Sequence, residues 1–488
     1  MKKRILIAVI ILLAAAAVGI ALLRPRVGPR SVEGPRIEFW GAARKVGGSC
    51  LIVENGGCRF AVDCGSLEEE AAGTLPPGAD SLSFAILTHA HIDHCGLVPE
   101  LVAAGFRGPI YCTGPTAKLV PIMLGMERTI SRDKLPRDAF DRALAALTPV
   151  PFGRIVVERG VAFRFRRSEH LLGAASVELW LPAGEDTTKL VISGDLGAGN
   201  ALLIPPRETI ERADYVVIES TYGGVVRDAR GDSTDGQEPF ARSVGSALRG
   251  GGDVLVAAFT LGRTQEVLAV IDRAERRGII PADAEVFVDS PTAEKITDVY
   301  RGSRAELSAW ARTFYPGEIL RFPTLREVRS GTSLKVHGRR HRPTIFVSSS
   351  GDLGNASSPR HLMKMFGDER NLLCITGWQP PGSLGARLLA GESPVLVRRQ
   401  EGRRFKEEWI SPVLAVRGFH AFSGHADQAG LLDWLGGIRG VRKVFIVHGE
   451  EAQAEALAAA IERTLALPVE VPHRGDGFVL PRAKGGER

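Results

Sequence analysis

The chain has 488 residues, and 44% of them are hydrophobic, a composition typical of globular proteins. Charged residues make up 24%, which argues against a largely disordered chain, and the length predicts two to three domains at about 150 residues each. The net charge of +6 is compatible with a polyanionic partner but does not require one, because excess basic residues can also be solvated surface.

The first residues predict a membrane anchor. The apolar run at residues 5–23 follows Lys2, Lys3 and Arg4, and as a helix it would extend about 28 Å, close to the hydrocarbon thickness of a bilayer. A cleaved signal peptide is the alternative, since the alanines at 14–17 offer a cleavage site. We therefore expect a single-pass, membrane-anchored protein. Basic residues flank both ends of the run, so the side on which the rest of the chain lies stays open.

A mixed α/β unit is predicted after a linker that ends near residue 35. Short apolar segments such as RIEFW and LSFAILTHAH indicate strands, and SCLIVENGGCRFAVDCG indicates a hairpin turning at Asn55-Gly56-Gly57. Helices are expected at about 97–104, 116–126 and 138–146. Further strands are expected at about 154–166, 176–181 and 190–194.

From about Tyr215 the pattern changes to alternating strands and helices. Continuous apolar strands lead through Gly- or Ser-rich loops toward helices, as in DVLVAAFTLGRTQEVLAVIDRAERRG and TIFVSSSGDLGNAS. Such a pattern indicates a parallel sheet covered by helices, and hence a second domain.

The segment THAHIDHCG, residues 88–96, contains three of the 11 histidines in the chain. His89 and His91 share one face of an extended backbone, so both can bind one ion. Asp93 and His94 come where the chain turns, and they can face a second ion. Imidazole and carboxylate groups are preferred zinc ligands, and the absence of cysteines from the pattern favours a catalytic site.

Three further polar residues follow apolar strands and are candidates for completing a two-ion centre. They are His170 in SEHLLGAAS, Asp195 in VISGDLG and His448 in VFIVHGE. Each alone could be a loop or capping residue, but their occurrence together with the histidine segment favours ligands.

These motifs resemble those of a known family. Asp63 in FAVDCG, then THAHIDHCG, His170 and Asp195, are similar to the metallo-β-lactamase fold of metal-dependent hydrolases. The motifs ESTYG, AAFTLGRTQE, SSSG, GWQPPGSLG, FSGHAD and VHGE resemble the β-CASP subgroup of nucleic-acid-processing enzymes, which includes the cleavage and polyadenylation specificity factor endonuclease. The resemblance covers about residues 37–480.

The resemblance implies an α/β fold, namely a metallo-β-lactamase αββα sandwich with an inserted β-CASP domain made of a parallel sheet and flanking helices. One N-terminal transmembrane helix is expected to precede it. The predicted divisions are an anchor and linker over 1–34, a first metallo-β-lactamase part over 35–213, the β-CASP domain over 214–405, and a second metallo-β-lactamase part with RNA-specificity motifs over 406–488.

The resemblance also implies a set of ligands for two zinc ions per chain. One ion would be bound by His89, His91, His170 and Asp195. The other would be bound by Asp93, His94, His448 and the shared Asp195. Asp63 would orient the histidine loop, as carboxylates behind metal ligands commonly do.

Two zinc ions about 3.5–4 Å apart can activate a hydroxide and polarise a phosphodiester oxygen for in-line hydrolysis. By the resemblance, Glu219, His425 and His448 occupy the family's motifs A, B and C, and Asp93 joins Glu219 and His425 as a catalytic residue. His425 would donate a proton to the leaving 3′-oxygen while Glu219 keeps it protonated. Relatives acting on DNA usually lack the third histidine, so His448 favours RNA.

The Gly- and Ser-rich turns are candidate phosphate sites, because backbone N–H groups at helix starts attract anions. We assign substrate binding to Arg263, Ser349, Gly351 and Gly377. Tight turns without a ligand are the alternative. Glu169 and Asp352 depart from the family pattern and add negative charge near the expected site.

The leading hypothesis is a zinc-dependent phosphodiester hydrolase, an RNA endonuclease of RNA processing or decay, with single-stranded RNA and a membrane as partners. A homodimer is left open. The alternative is a membrane-anchored metallo-hydrolase acting on another phosphodiester or a small ester outside the cytoplasm. A non-catalytic nucleic-acid-binding scaffold is disfavoured by the complete ligand set.

Overall fold

A computed structural model describes the protein over residues 34–66, 75–130, 135–227, 237–327, 337, 342–401 and 404–481. Within these ranges the chain forms three large β-sheets and one separate hairpin. Two of the sheets have seven strands each and pack face to face, and the third has six strands.

The first seven-stranded sheet comes mainly from the N-terminal part of the described chain. Its strands are β1 (Arg36–Phe39), β2 (Leu51–Asn55), β3 (Cys58–Val62), β4 (Ala85–Ile86), β5 (Ile110–Thr113), β6 (Leu147–Val150) and β22 (Gly477–Val479). Their spatial order is β22-β1-β2-β3-β4-β5-β6. The predicted hairpin is present, because β2 and β3 are antiparallel and Gly56 and Gly57 turn between them with φ of 57° and 81°.

The second seven-stranded sheet carries most of the residues of the site. Its strands are β7 (Val156–Glu158), β8 (Val161–Arg167), β9 (Ala175–Ala183), β10 (Asp186–Ile192), β11 (Tyr215–Glu219), β20 (Lys443–Val447) and β21 (Val469–Glu470). Their spatial order is β21-β20-β11-β10-β9-β8-β7. The single strand predicted at 154–166 is instead two strands, because Arg159 and Gly160 turn the chain with φ of 46° and 83°.

A hydrophobic core joins the inner faces of these two sheets. Phe60 and Phe84 stack with their ring centroids 4.4 Å apart, and Phe163 packs 6.3 Å from Phe84. The outer face of the first sheet carries the helices α1 (Ile92–Cys95), α2 (Val98–Ala103), α3 (Gly114–Ile130) and α4 (Arg137–Ala146). The outer face of the second sheet carries α11 (Gln428–Gly436) and α12 (Glu451–Leu465). The αββα sandwich implied by the resemblance is therefore confirmed.

The six-stranded sheet is parallel throughout, as the alternating pattern predicts. Its strands are β12 (Val254–Ala257), β13 (Glu285–Asp289), β14 (Leu325–Glu327), β15 (Thr344–Ser348), β16 (Leu372–Ile375) and β19 (Ala415–Gly418). The helices of this part of the chain are α5 (Gln237–Arg249), α6 (Arg263–Arg276), α7 (Pro291–Arg301), α8 (Ala309–Phe314), α9 (Ser358–Met365) and α10 (Leu384–Leu389). The separate hairpin is formed by β17 (Val395–Glu401) and β18 (Arg404–Ile410).

The six-stranded sheet is an insertion between two neighbouring strands of the sandwich. β11 precedes it in the chain, β20 follows it, and the two strands pair in parallel. β11 lies in the sandwich although the predicted inserted domain begins at residue 214, and β19 lies in the inserted sheet although that domain was predicted to end at 405. The domain boundaries remain predictions.

The expectation of a transmembrane helix is corrected. Across the described ranges, the structure contains no helix with the length and apolar character needed to cross a bilayer. The segment on which the prediction rested, residues 5–23, lies outside those ranges. Over the described ranges the fold is the sandwich with its inserted sheet, and the expectation of a single-pass, membrane-anchored location is corrected together with that of the helix.

Candidate active site

The histidine segment follows β4 and lies at the end of the first sheet. His91 is extended, with φ of −65° and ψ of 148°, and caps α1, the short helix that contains Asp93 and His94. This helix packs against the backbone at Gly65, where an added Cβ would lie 1.7 Å from the carbonyl oxygen of Asp93. Gly65 is therefore needed for the close approach that fixes the segment.

Four of the predicted ligands form one group. The Nδ1 atom of His91 lies 3.2 Å from Nε2 of His89 and 3.0 Å from Nε2 of His170. Asp195 Oδ2 lies 3.4 Å from Nε2 of His89 and 3.5 Å from Nε2 of His170. One potential ligand atom from each residue lies within 4.8 Å of every other, as binding of a single ion requires.

The other predicted ligands form a second group on the opposite side of Asp195. Nε2 of His448 lies 3.2 Å from Nε2 of His94 and 3.2 Å from Oδ2 of Asp93. Asp195 Oδ1 lies 3.3 Å from Nε2 of His94 and 3.6 Å from Nδ1 of His448. Asp195 thus directs one carboxylate oxygen toward each group.

The topology explains why residues distant in sequence meet here. β10, β11 and β20 are neighbouring parallel strands, so their carboxyl ends lie side by side. Asp195 comes three residues after β10, Glu219 ends β11, and His448 directly follows β20. The three side chains therefore project from one edge of the second sheet.

Asp63, which the resemblance implies would orient the histidine loop, lies against the histidine segment. Its Oδ2 lies 2.7 Å from Nδ1 of His94 and accepts a hydrogen bond from Ser49 Oγ at 3.3 Å. Its Oδ1 accepts a hydrogen bond from the backbone N–H of Thr88 at 2.8 Å. With a carboxylate at Nδ1, the Nε2 atom of His94 is left to face the second group.

His425 and Glu219 form a pair beside the first group. Both carboxylate oxygens of Glu219 lie 3.1 Å from Nδ1 of His425. Glu219 is buried, and its oxygens also accept hydrogen bonds from the backbone N–H groups of Leu196 and Thr221. The imidazole of His425 lies 4.6 Å from that of His170, ring centroid to ring centroid.

The electrostatics of the first group are those of a cation site. Burial, reinforced by neighbouring His94, lowers the pKa of His89 well below its usual value, and burial does the same to the pKa of His170. Burial alone would raise the pKa of Asp195, but the adjacent His448 and His94 hold it well below its usual value. Neutral imidazoles and an ionised carboxylate are the protonation states in which these groups bind metal. In the second group burial lowers the pKa of His94 and of His448, but the carboxylate of Asp195 outweighs burial and raises both above the usual value.

The arrangement of the nitrogen and oxygen atoms in both groups also suits binding of a divalent ion. Imidazole nitrogens face each other at 3.0–3.2 Å in both groups, an arrangement that a shared cation would satisfy. Asp195 Oδ1 is buried and has no hydrogen bond of normal geometry among the described residues. The residues present therefore match the nitrogen and oxygen ligand set that zinc prefers.

The predicted substrate-binding residues lie in two places. Arg263 begins α6, and its guanidinium lies against the loop of the site, because a Cβ added at Gly424 would be 3.1 Å from Nη2. Gly351 and Gly377 instead surround Phe259, whose ring would be 2.8 Å and 2.7 Å from a Cβ at these positions. Ser349, adjacent in sequence to this cluster, donates a hydrogen bond to Ser290 at 3.0 Å.

Several contacts of the site involve residues that the motifs do not single out. Thr221 Oγ1 lies 3.1 Å from Nδ1 of His448, and Thr88 Oγ1 lies 3.1 Å from Nδ1 of His89. Both threonines adjoin a recognised motif residue, which is the available signal in the sequence. Glu169, which departs from the family pattern, is buried, and its carboxylate accepts a hydrogen bond from Arg207 N at 3.4 Å.

Family profiles match three successive parts of the chain. A metallo-beta-lactamase superfamily profile matches residues 43–207, a Beta-Casp domain profile matches 264–388, and a Zn-dependent metallo-hydrolase RNA specificity domain profile matches 411–472. A solved structure of a protein of unknown function from Enterococcus faecalis V583 has a TM-score of 0.53 at 12% identity, covering 91% of this chain and 100% of its own. At that identity the likeness concerns the fold alone.

Relatives of known sequence align with most of the chain. Ribonuclease TTHA0252 of Thermus thermophilus is 34% identical over 433 residues, which cover 86% of this chain and 95% of that protein. Transcription termination factor FttA of Methanocaldococcus jannaschii is 28% identical over 465 residues, covering 91% of this chain and 71% of that protein. The chain therefore belongs to the β-CASP ribonuclease family of the metallo-β-lactamase superfamily and is a metal-dependent hydrolase.

Proposed function

We propose that the protein is a zinc-dependent endonuclease that hydrolyses phosphodiester bonds of single-stranded RNA. The observation that carries the proposal is the position of Asp195, whose two carboxylate oxygens face two separate groups of potential ligands. The match to an RNA specificity domain and the similarity to a ribonuclease support RNA as the substrate.

Two zinc ions per chain are part of this proposal. The first would be held by His89, His91, His170 and Asp195. The second would be held by Asp93, His94 and His448, with Oδ1 of Asp195 directed toward the same group. When bound, such a pair of ions supplies Lewis-acid activation of water and of the phosphate. Asp63 contributes by orienting His94 through Nδ1, and it would keep the ring in the tautomer that binds metal.

His425 would act as the general acid. Glu219 lies at Nδ1 of its ring, so that nitrogen carries a proton and Nε2 faces away from the carboxylate. A proton held at Nε2 can pass to the 3′-oxygen as it leaves the phosphorus, and a positioned acid of this kind accelerates cleavage by about 10²–10⁴-fold.

Arg263 would bind the phosphate backbone next to this acid. Its guanidinium is largely enclosed by protein, and burial lowers its pKa to about 10, which still leaves it charged near neutral pH. Its Nε has no hydrogen-bond partner in the part of the chain that the structure describes. Ser349, Gly351 and Gly377 would line the path of the RNA further along the carboxyl edge of the six-stranded sheet.

Circular single-stranded RNA is the sharpest substrate for testing this function, because it has no ends and only an endonuclease can open it. The purified full chain, supplied with Zn²⁺ or Mn²⁺, is expected to linearise the circle and then fragment it. A His448→Ala variant is expected to be at least 100-fold slower, as loss of a proposed ligand requires. Hydrolysis of bis(p-nitrophenyl) phosphate by a protein that leaves RNA intact would overturn RNA as the substrate.

A further inference from the structure

We propose that Arg227 is a positioning residue that holds the loop of His425, so that the imidazole is aimed at the leaving oxygen. This inference rests on the proposed function. His425 lies between β19 and α11, outside any strand or helix. The neighbouring Ala426 N–H donates to the carbonyl oxygen of Leu196 at 2.7 Å, while the carbonyl oxygen of His425 itself is held by side chains. Glu219 restrains the ring through Nδ1 but does not restrain the backbone of the loop.

Arg227 contacts the backbone of this loop at His425. Its Nη1 donates a hydrogen bond to the carbonyl oxygen of His425 at 3.1 Å. Its own backbone N–H donates to Oδ2 of Asp427 at 2.9 Å, while the other oxygen of Asp427 caps α11 by accepting from Gly430 N at 2.9 Å. Arg227 therefore connects the loop of His425 to the first turn of the following helix.

Tyr222 sets the direction of the Arg227 guanidinium. The guanidinium carbon lies 4.2 Å from the centroid of the Tyr222 ring, a cation–π contact that orients the planar group. Tyr222 itself pairs with Asp427 as an isolated parallel bridge, and its ring meets that of His425 edge-on at 6.2 Å. The tyrosine is thus fixed to the same loop that Arg227 holds.

One segment of the chain, residues 219–227, therefore makes polar contacts with His425 at two points. Glu219 at its start holds the ring, and Arg227 at its end holds the carbonyl group. Ser423 Oγ also donates to this carbonyl, at 2.8 Å, so removal of Arg227 leaves the loop attached but less constrained. A shift of about 1 Å in a reacting group can cost about 100-fold in rate.

The test compares two substrates that differ in their need for an acid. The 3′-oxygen of RNA must be protonated as it leaves, whereas the p-nitrophenolate of bis(p-nitrophenyl) phosphate leaves without a proton. With zinc-supplied full chain, Arg227→Ala is expected to lower kcat on RNA by about 10–100-fold with KM changed less than about threefold. On the activated substrate its kcat is expected to stay within about twofold of wild type.

Conservative and matched variants separate positioning from general loss of stability. Arg227→Lys should recover part of the loss by donating to the His425 carbonyl. Arg442 makes a similar pair of contacts at the opposite end of β11, with its guanidinium carbon 5.5 Å from the centroid of the Tyr215 ring and Nη1 donating to the carbonyl oxygen of Pro481, so Arg442→Ala is the control. It should leave both activities unchanged.

The outcomes distinguish this inference from the proposed function. Equal losses of Arg227→Ala on both substrates, or a higher KM for RNA at unchanged kcat, would overturn the positioning role while leaving the ribonuclease assignment intact. Wild-type protein that hydrolyses the activated diester but leaves RNA uncut would overturn the function itself, and this inference with it. Zinc content and unfolding temperature of each variant, measured alongside, are expected to match the wild type.

Discussion

Replacing Asp63 with asparagine should weaken zinc binding more than it disturbs the fold. The amide can keep its oxygen at the position that accepts from Thr88 N, at 2.8 Å in the wild type. Its NH₂ group then lies where Oδ2 now meets Nδ1 of His94 at 2.7 Å. His94 would have to accept at Nδ1 and carry its proton on Nε2, the atom that faces His448 and Asp195.

The expected loss of zinc affinity follows from the change of tautomer at one ligand, His94. Changes in groups that orient metal ligands typically weaken metal binding about 10–100-fold, or roughly 1.4–2.7 kcal/mol. The buried Thr88 keeps its partner, so the metal-free protein should lose only about 1–2 kcal/mol of stability, the scale of one altered hydrogen bond. Asp63→Ala would leave several buried donors unpaired and should cost more.

Calorimetric titration of the metal-free protein with Zn²⁺ measures the prediction directly. Ser49→Ala is the matched control, since it removes only the 3.3 Å contact to the same carboxylate. It should bind zinc within about threefold of wild type. If Asp63→Asn bound zinc as tightly as the wild type, the idea that this carboxylate sets the tautomer of His94 would be refuted.

Four further substitutions test three separate predictions. His425→Ala and Glu219→Gln should each lower kcat on RNA by about 10²–10⁴-fold, as loss of a general acid predicts. Glu266→Gln should make stability less dependent on pH: burial raises the pKa of Glu266 to about 7, so the wild type loses up to roughly 3 kcal/mol as the pH rises from about 4.5 through 7. Gly377→Ala should displace the ring of Phe259, 2.7 Å from the new Cβ, and raise KM for RNA.

Each of these predictions has its own measurement. Steady-state kinetics on RNA, with zinc content determined in parallel, would contradict the first if His425→Ala kept more than a tenth of wild-type kcat. Unfolding temperatures recorded across the pH range check the second, and parallel curves for Glu266→Gln and wild type would count against it. For the third, an unchanged KM would show that the Phe259 cluster does not contact RNA.

The candidate ligands of the site could be predicted from the sequence, whereas most of the residues that contact them could not. His170 and His448 stood out because a histidine after an apolar strand is rare, and the structure brings both into the two ligand groups. Thr88, Thr221 and Arg227 were missed, since hydroxyl and guanidinium groups occur throughout the chain and their partners depend on the fold. Of these, Thr221 and Arg227 contact residues about 200 or more positions away in sequence.

Local turns and distant packing limited the predictions of structure as well. The parallel six-stranded sheet and the β2–β3 hairpin followed from periodicity and from Asn55-Gly56-Gly57. The turn at Arg159 was hidden, because a non-glycine residue with positive φ leaves no mark in the pattern of apolar residues. Gly351 and Gly377 were predicted to lie in phosphate-binding loops. Both glycines pack against the ring of Phe259, a contact that depends on the tertiary structure and leaves no signal in the sequence.

The pairing of β11 with β20 has a consequence for how the enzyme is made. Translation delivers Asp195 and Glu219 more than 200 residues before His425 and His448, and the whole inserted sheet is synthesised in between. While the nascent chain is still emerging from the ribosome, its second ligand group lacks His448. The second ligand group of the proposed nuclease is thus completed only after the inserted sheet has been synthesised.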